Sequence, residues 1–406
     1  MAPLNQARPG ALVAAQRERS LLRQLRIATG GTLPIIVSLV VVWAFFQTLD
    51  IHFLSARNLT NLLLQISSTG IITTGVVLVL LVGEIDLSIG SVAGVSAAVL
   101  ALLVSVYSVP WWLAVIAMIA VGGGIGAMQG TWLVVFGVPS FIVTLGGLLG
   151  WYGVQLYLIQ TQRVDTIMVE DPHIVAIATT FLPKPMGWAM AGIVGLAVVA
   201  ARVAGYRRRQ AAGFIDERAG ETAVRTIAIV AAVIGGTEVL NQWRGIPIAA
   251  VIFIGLVAAL SWVAQRTPFG RYIYAIGGNA NGAHRAGIKV RALRIVVFLL
   301  SGTLAALGGL VAVARLAAAG TGTGGGTVLL EAIASAVIGG ISLFGGRGSV
   351  WAALFGTLVI GSVSNGLDLT GNEATVKYMV EGMILLIAVT ADVVSRRGRL
   401  WAETRT

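Results

Sequence analysis

The sequence predicts an all-α, polytopic integral membrane protein with about 12 transmembrane helices. Three observations carry that prediction. The chain has 406 residues, of which 57% are hydrophobic and only 11% charged, whereas a soluble domain carries about 25% charged residues. Apolar runs long enough to cross a bilayer core of about 30 Å recur along its length. Lys and Arg, finally, gather in a few connections between those runs, which is how membrane proteins mark their cytoplasmic side.

Taken in order, residues 1–30 form a basic N-terminal segment with Arg8, Arg17, Arg19, Arg23 and Arg26 against one acid, Glu18. About thirty polar or weakly apolar residues precede the first long apolar run, and no small-residue cleavage site follows a short one, so no signal peptide is expected. The transmembrane part is expected over 31–395. Its spans fall near 32–49, 66–83, 88–108, 111–136, 140–160, 186–204, 224–240, 246–264, 295–315, 327–345, 348–367 and 376–394. The spans near 224–240 and 327–345 are the weakest, since each holds an acid, Glu238 and Glu331. A short tail, 396–406, follows.

Charge then orients the chain. Segments 1–30, 201–225, 265–294 and 395–406 hold 21 of the 28 Lys and Arg residues. Placing all four in the cytoplasm demands an even number of spans between each pair, and the spans above satisfy it. Both termini are therefore expected in the cytoplasm. The net charge of +11 reads as anchoring against anionic lipid head groups, not as a surface for nucleic acid. With no cysteine the chain has no disulfide framework and no thiolate metal site. The three histidines, His52, His173 and His284, lie in separate connections, so no metal site and no catalytic triad is expected.

Glycines such as Gly122, Gly123, Gly124, Gly126, Gly302, Gly308 and Gly309 should let helix backbones approach closely. The most informative stretch is Gly83-Glu84-Ile85-Asp86-Leu87-Ser88-Ile89-Gly90-Ser91. It sets two carboxylates and two hydroxyls between the uncharged runs 66–82 and 92–109. A carboxylate in hydrocarbon costs at least a few kcal/mol and faces a protein interior or a wet cavity. The stretch reads as a break between two helices lining a polar route, with Glu84, Asp86, Ser88 and Ser91 as candidate pathway residues. The competing reading is a surface turn with Asp86 or Ser88 as N-cap of the next helix. Asn365, Asp368, Gln129, Gln155, Thr144, Glu331 and Glu381 are further polar groups in or near spans. Asn365 is a pathway candidate, although interhelical hydrogen bonding is the plainer role for each.

The connection 265–294 has six basic residues and no acid. Within it, Gly277-Gly278 breaks the chain, Asn279 suits an N-cap and Gly287 suits a helix stop. The helix between them spans about two turns and is too short to persist alone. It needs a partner surface, with Arg285 as charged contact and Ala283 and Ile288 as apolar face; a lipid-binding basic loop is the alternative.

Four stretches carry a family resemblance: Glu84 to Ser91; Val138-Pro139-Ser140-Phe141-Ile142-Val143-Thr144-Leu145; Phe269 to Asn279; and Ile338 to Val350. In this order they resemble the integral-membrane permeases of ATP-binding-cassette (ABC) sugar importers, the ribose/branched-chain amino acid permease type. Glu84 ahead of Ile-Asp-Leu-Ser, the extra length near 186–245 and the segment Asn241 to Pro247 resemble xylose permeases in particular. One departure is that Asn281, Gly282, Ala283 and His284 stand where those permeases often show Glu-Ala-Ala-Arg. The resemblance implies a monosaccharide permease, D-xylose or a related pentose or hexose being the cargo, in a bacterial inner membrane. It implies a cytoplasmic ABC ATPase, a periplasmic sugar-binding protein and a second permease copy as partners. Gly277, Gly278, Asn279, Ala283, Arg285, Gly287 and Ile288 would then couple to the ATPase. No Gly-x4-Gly-Lys-Ser/Thr occurs, so the chain is expected to bind no cofactor itself, ATP and Mg²⁺ residing on the ATPase. It would be a transporter subunit and not an enzyme. The alternatives are a proton-coupled secondary sugar transporter with Glu84 and Asp86 as relay, and a membrane enzyme acting on lipid-linked sugar. Gly320-x-Gly322-x-x-Gly325 fits a dinucleotide fingerprint but lacks a preceding strand, and reads as a flexible outer turn. Most tryptophans fall near span ends, as an interfacial belt does.

Overall fold

The computed structural model describes residues 33–211, 219–371 and 374–403. The basic segment 1–30 and the last three residues of the tail lie outside them. Helices α1 (Leu33–Leu49), α2 (Ala56–Leu81), α3 (Ile89–Ala101, continued by a π turn, Leu102–Val106), α4 (Trp111–Phe136) and α5 (Ser140–Gln160) come first. A short α6 (Pro172–Thr179) precedes α7 (Lys184–Ala211), α8 (Ala219–Asn241) and α9 (Ile248–Arg266). Then follow α10 (Pro268–Gly278), α11 (Ala280–Arg285), α12 (Val290–Leu316), α13 (Gly326–Ile338), α14 (Ala352–Leu369) and α15 (Ala374–Glu403). Among the described residues, nine helices are long and apolar enough to cross a membrane, and 34–49 and 327–338 are shorter apolar helices.

Each expected span meets a helix, and the boundary differences have physical causes. The span expected from 66 begins at Ala56, because Ser55 caps the helix by accepting from the Asn58 backbone N–H. The polar first turns persist because they are paired: Asn58 Nδ2 donates to Phe53 O and, at 2.7 Å, to Asn365 Oδ1. The span expected over 327–345 is a 13-residue helix, about 20 Å long and shorter than a bilayer core. It stops at Gly339-Gly340, where Gly340 takes φ +97°, a conformation that favours glycine.

The centre of the bundle is α2, α3, α12 and α14. Their apolar windows are 61–78% buried within the chain, against 17% for α5 and α7 and 11% for α8. Glycines set the closest crossings. A Cβ on Gly126 or Gly302 would run into the facing backbone of α12 or α4, and one on Gly309 would meet Ala93 O on α3. Ser68 Oγ also donates to Gly308 O at 2.8 Å, tying α2 to α12. Two small antiparallel ribbons join the connections: β1 (Thr166–Met168) with β4 (Ala318–Gly320), and β2 (Phe181–Leu182) with β3 (Ile246–Pro247).

Candidate functional site

The break between α2 and α3 is real and extended. Gly83 takes φ +84° and ends α2, its N–H donating to Leu80 O at 2.9 Å. The next residues leave helical geometry and run beside the start of α5. The Ile85 N–H donates to Ser140 Oγ at 3.1 Å, and Thr144 Oγ1 donates to Ile85 O at 3.2 Å. Further on, Ser91 Oγ donates to Leu148 O at 2.9 Å. The sequence reading did not single out Ser140 by itself, although it lies inside one of the four motifs.

Both carboxylates are nearly covered, Glu84 at 9% and Asp86 at 5% exposure, and they are satisfied differently. Glu84 Oε1 lies 2.9 Å from Nε of Arg294, the fifth residue of α12. The Nε–H is not aligned on that oxygen, since Arg294 Nε has no hydrogen-bond partner, so the contact is an ion pair and not a directed bond. Asp86 Oδ1 accepts from the Ser88 N–H (2.9 Å) and Ser88 Oγ (2.7 Å), and its Oδ2 accepts from Ser301 Oγ on α12 (3.1 Å). Ser88 Oγ also lies 3.0 Å from Oε1 of Gln129 on α4. Ser88 is the N-cap residue of α3, but its side chain makes no cap bond; Asp86 holds the turn instead. Arg294 and Ser301 were missed in the sequence, where a cation and a hydroxyl seven residues apart give no signal until α12 is placed beside the break.

Asn365 is not part of this group. It pairs with Asn58 at the start of α2, roughly 35 Å along that helix from Leu81 at 1.5 Å per residue. Glu84, Asp86, Ser88 and Ser91 come together; Asn365 braces α2 against α14 elsewhere.

The basic connection holds two helices, and only the second was expected. α10 starts at a Thr267 cap with Pro268 in its first turn and buries Ile273 and Ile276. Tyr274 Oη donates to Gly348 O at 3.0 Å, and burial raises its phenol above the ordinary value. α11 forms as read: Asn279 caps it by accepting from the Gly282 N–H at 2.8 Å, and Gly287 stops it with φ +82°. One expectation is corrected. Ala283 is 6% exposed and packs into the chain's own core, with Ile288 against it, so α11 rests on its own bundle. The face left free carries Asn281, His284, Arg285 and Lys289.

The connection meets the break through glycine. A Cβ on Gly277 would collide with Leu81 O and Gly346 N, and one on Gly345 would come 2.7 Å from Gly83 Cα. The Gly346 N–H donates to Leu81 O at 3.0 Å. The end of α2, the end of α10 and the loop after α13 thus touch backbone to backbone. By contrast, a Cβ on Gly278 would meet nothing within 4 Å.

The glycine-rich stretch 320–325 is also corrected. It packs against α3, with Gly324 against the backbone of Gly90 and Gly94. Gln155 Nε2 donates to the carbonyls of Gly320 (3.0 Å) and Thr323 (2.8 Å). An open, largely apolar groove of about 460 Å³ lies beside the break between α4 and α5, lined by Gln129, Trp132, Ile142, Gly147 and Trp151 among others, with Trp132 and Ile142 exposed along it.

Comparison with known proteins gives the chain's relatives. Residues 58–389 match the family model described as branched-chain amino acid transport system / permease component. The chain is 36% identical over 363 residues to the xylose transport system permease protein XylH of Escherichia coli, covering 89% of this chain and 91% of that protein. It is 31% identical over 358 residues to the ribose import permease protein RbsC of the same organism (88% and 92%). It is also 31% identical over 363 residues to that organism's probable ABC transporter permease protein YphD (88% of each). No solved structure matches the chain.

Proposed function

The chain belongs to the branched-chain amino acid transport system / permease component family, and on that premise we propose that it is the membrane subunit of an ABC importer carrying a monosaccharide. D-xylose or a related pentose is the first candidate, because the chain is 36% identical to a xylose permease over 89% of its length. It is a multi-pass inner-membrane protein and a transport subunit, not an enzyme. The observation that carries the mechanism is the junction of Gly83, Gly277 and Gly345, which puts the broken helix pair in backbone contact with the basic connection. That connection offers a cationic face built from Arg285 and Lys289, with His284 exposed beside them. An ATPase docked there would move the break directly.

In this reading the sugar passes beside the break, where Glu84, Asp86, Ser88 and Ser91 hold the route's wall in shape. Asp86 acts as a brace, since its acceptors are taken by Ser88 and Ser301. The open groove between α4 and α5 adds Trp132 and Trp151, whose indoles suit the apolar face of a sugar ring. A proton relay through Glu84 is disfavoured by its ion pair with Arg294. The partners are a cytoplasmic ATPase, a periplasmic sugar-binding protein and a second copy of this chain. Both termini lie in the cytoplasm. Deleting the gene in a host able to grow on xylose, with other xylose uptake removed, should abolish growth on low xylose but not on glucose; unchanged growth and uptake would reject xylose as cargo.

A further inference from the structure

Two acids of the break meet two positions of α12. Glu84 faces Arg294 at 2.9 Å and Asp86 accepts from Ser301 at 3.1 Å. Residues i and i+2 of an extended chain lie on one side, about 6.6 Å apart. Residues i and i+7 of a helix lie on one stripe, about 10.5 Å apart. The long arginine stem spans the difference, so the break is laid along α12 and fastened at both points. α12 begins at Val290, with only four residues between it and the end of α11 at Arg285, so whatever shifts the basic connection shifts the Arg294 end first. The break's other edge is held by the glycine junction, where Gly277 and Gly345 leave no slack.

With the Arg294 side chain still 30% exposed beside a Glu84 side chain at 11%, the ion pair is a poor source of stability, because solvent screening at the guanidinium and desolvation of the carboxylate offset most of their attraction. Its value is in fixing one arrangement. We infer that Glu84–Arg294 is a transmission strap: the positioning contact through which movement of the connection 265–294 is passed to the α2–α3 break. Neither side chain touches the sugar in this role. Arg294 thereby joins the coupling machinery although it lies outside α11. The inference rests on the importer reading above.

The test uses the full chain reconstituted in proteoliposomes with its ATPase and sugar-binding protein, reading sugar transported per ATP hydrolysed. Glu84→Gln and Arg294→Ala should each lower that ratio at least tenfold, while ATPase co-purification and the thermal midpoint stay near those of the unaltered chain. The exchanged pair, Glu84→Arg with Arg294→Glu, should recover a third or more of the ratio. Single variants with an unchanged ratio would overturn the strap. So would variants that lose ATPase association and thermal stability in step with transport, or an exchanged pair no better than the singles. If the unaltered chain shows no ATP-dependent uptake, the importer reading fails and takes the strap with it; a transporting chain with fully coupled variants removes the strap alone.

Discussion

Adding one methyl group at Gly277 should uncouple the protein, whereas the same change one residue later should not. The Cβ of Gly277→Ala would collide with Leu81 O and Gly346 N. Both are backbone atoms, so neither can swing aside as a side chain could. Overpacking of this kind costs about 1–3 kcal/mol. Prising the backbones apart also strains the 3.0 Å bond from the Gly346 N–H to Leu81 O, worth about 1 kcal/mol. A total of about 3 kcal/mol corresponds to roughly a hundredfold loss of the closed junction, at tenfold per 1.4 kcal/mol. At Gly278 the new methyl would meet nothing within 4 Å. The assay is sugar uptake per ATP hydrolysed, with the thermal midpoint in detergent measured in parallel. Gly277→Ala should transport at least tenfold less per ATP and melt earlier, while Gly278→Ala stays within twofold of the unaltered chain. Equal behaviour of the two variants would refute the claim that backbone contact at Gly277 transmits the motion.

Asp86→Ala should lower uptake at least tenfold while the protein still inserts, because Ser88 and Ser301 lose their shared acceptor. Asp86→Asn keeps one carbonyl acceptor and should lose less, as initial-rate uptake would show. Arg285→Glu reverses the charge on the free face of α11 and should release the ATPase on co-purification without lowering membrane insertion. Reporter fusions after residues 50, 170, 280 and 370 should read outside, outside, inside and outside; an outside signal at 280 would invert the arrangement of the basic connection.

The helices were legible because apolar runs and clustered charges are local properties of the chain. So was the break, since two acids two residues apart amid uncharged sequence have few places to go. Asn279 and Gly287 announced α11 through the conformations their residue types favour. What stayed hidden was relational. Ala283 reads as free on a helix drawn alone, but the bundle covers it. Asn365 reads as a pathway residue until Asn58 is found opposite. Arg294 and Ser301 acquire a meaning only when α12 lies along the break, and Gln155 only when the glycines of 320–325 are packed beside α3. Gly277 and Gly278 are equivalent in the sequence; the crowding that separates them comes from Leu81 and Gly346, far away in the chain.

The most direct measurement of the central claim is uptake of labelled xylose by proteoliposomes holding this chain, its ATPase and its sugar-binding protein. Uptake that requires ATP inside with the ATPase and the binding protein outside, and that a proton gradient alone cannot drive, is the predicted result. Uptake driven by a proton gradient in liposomes holding this chain alone would contradict the account.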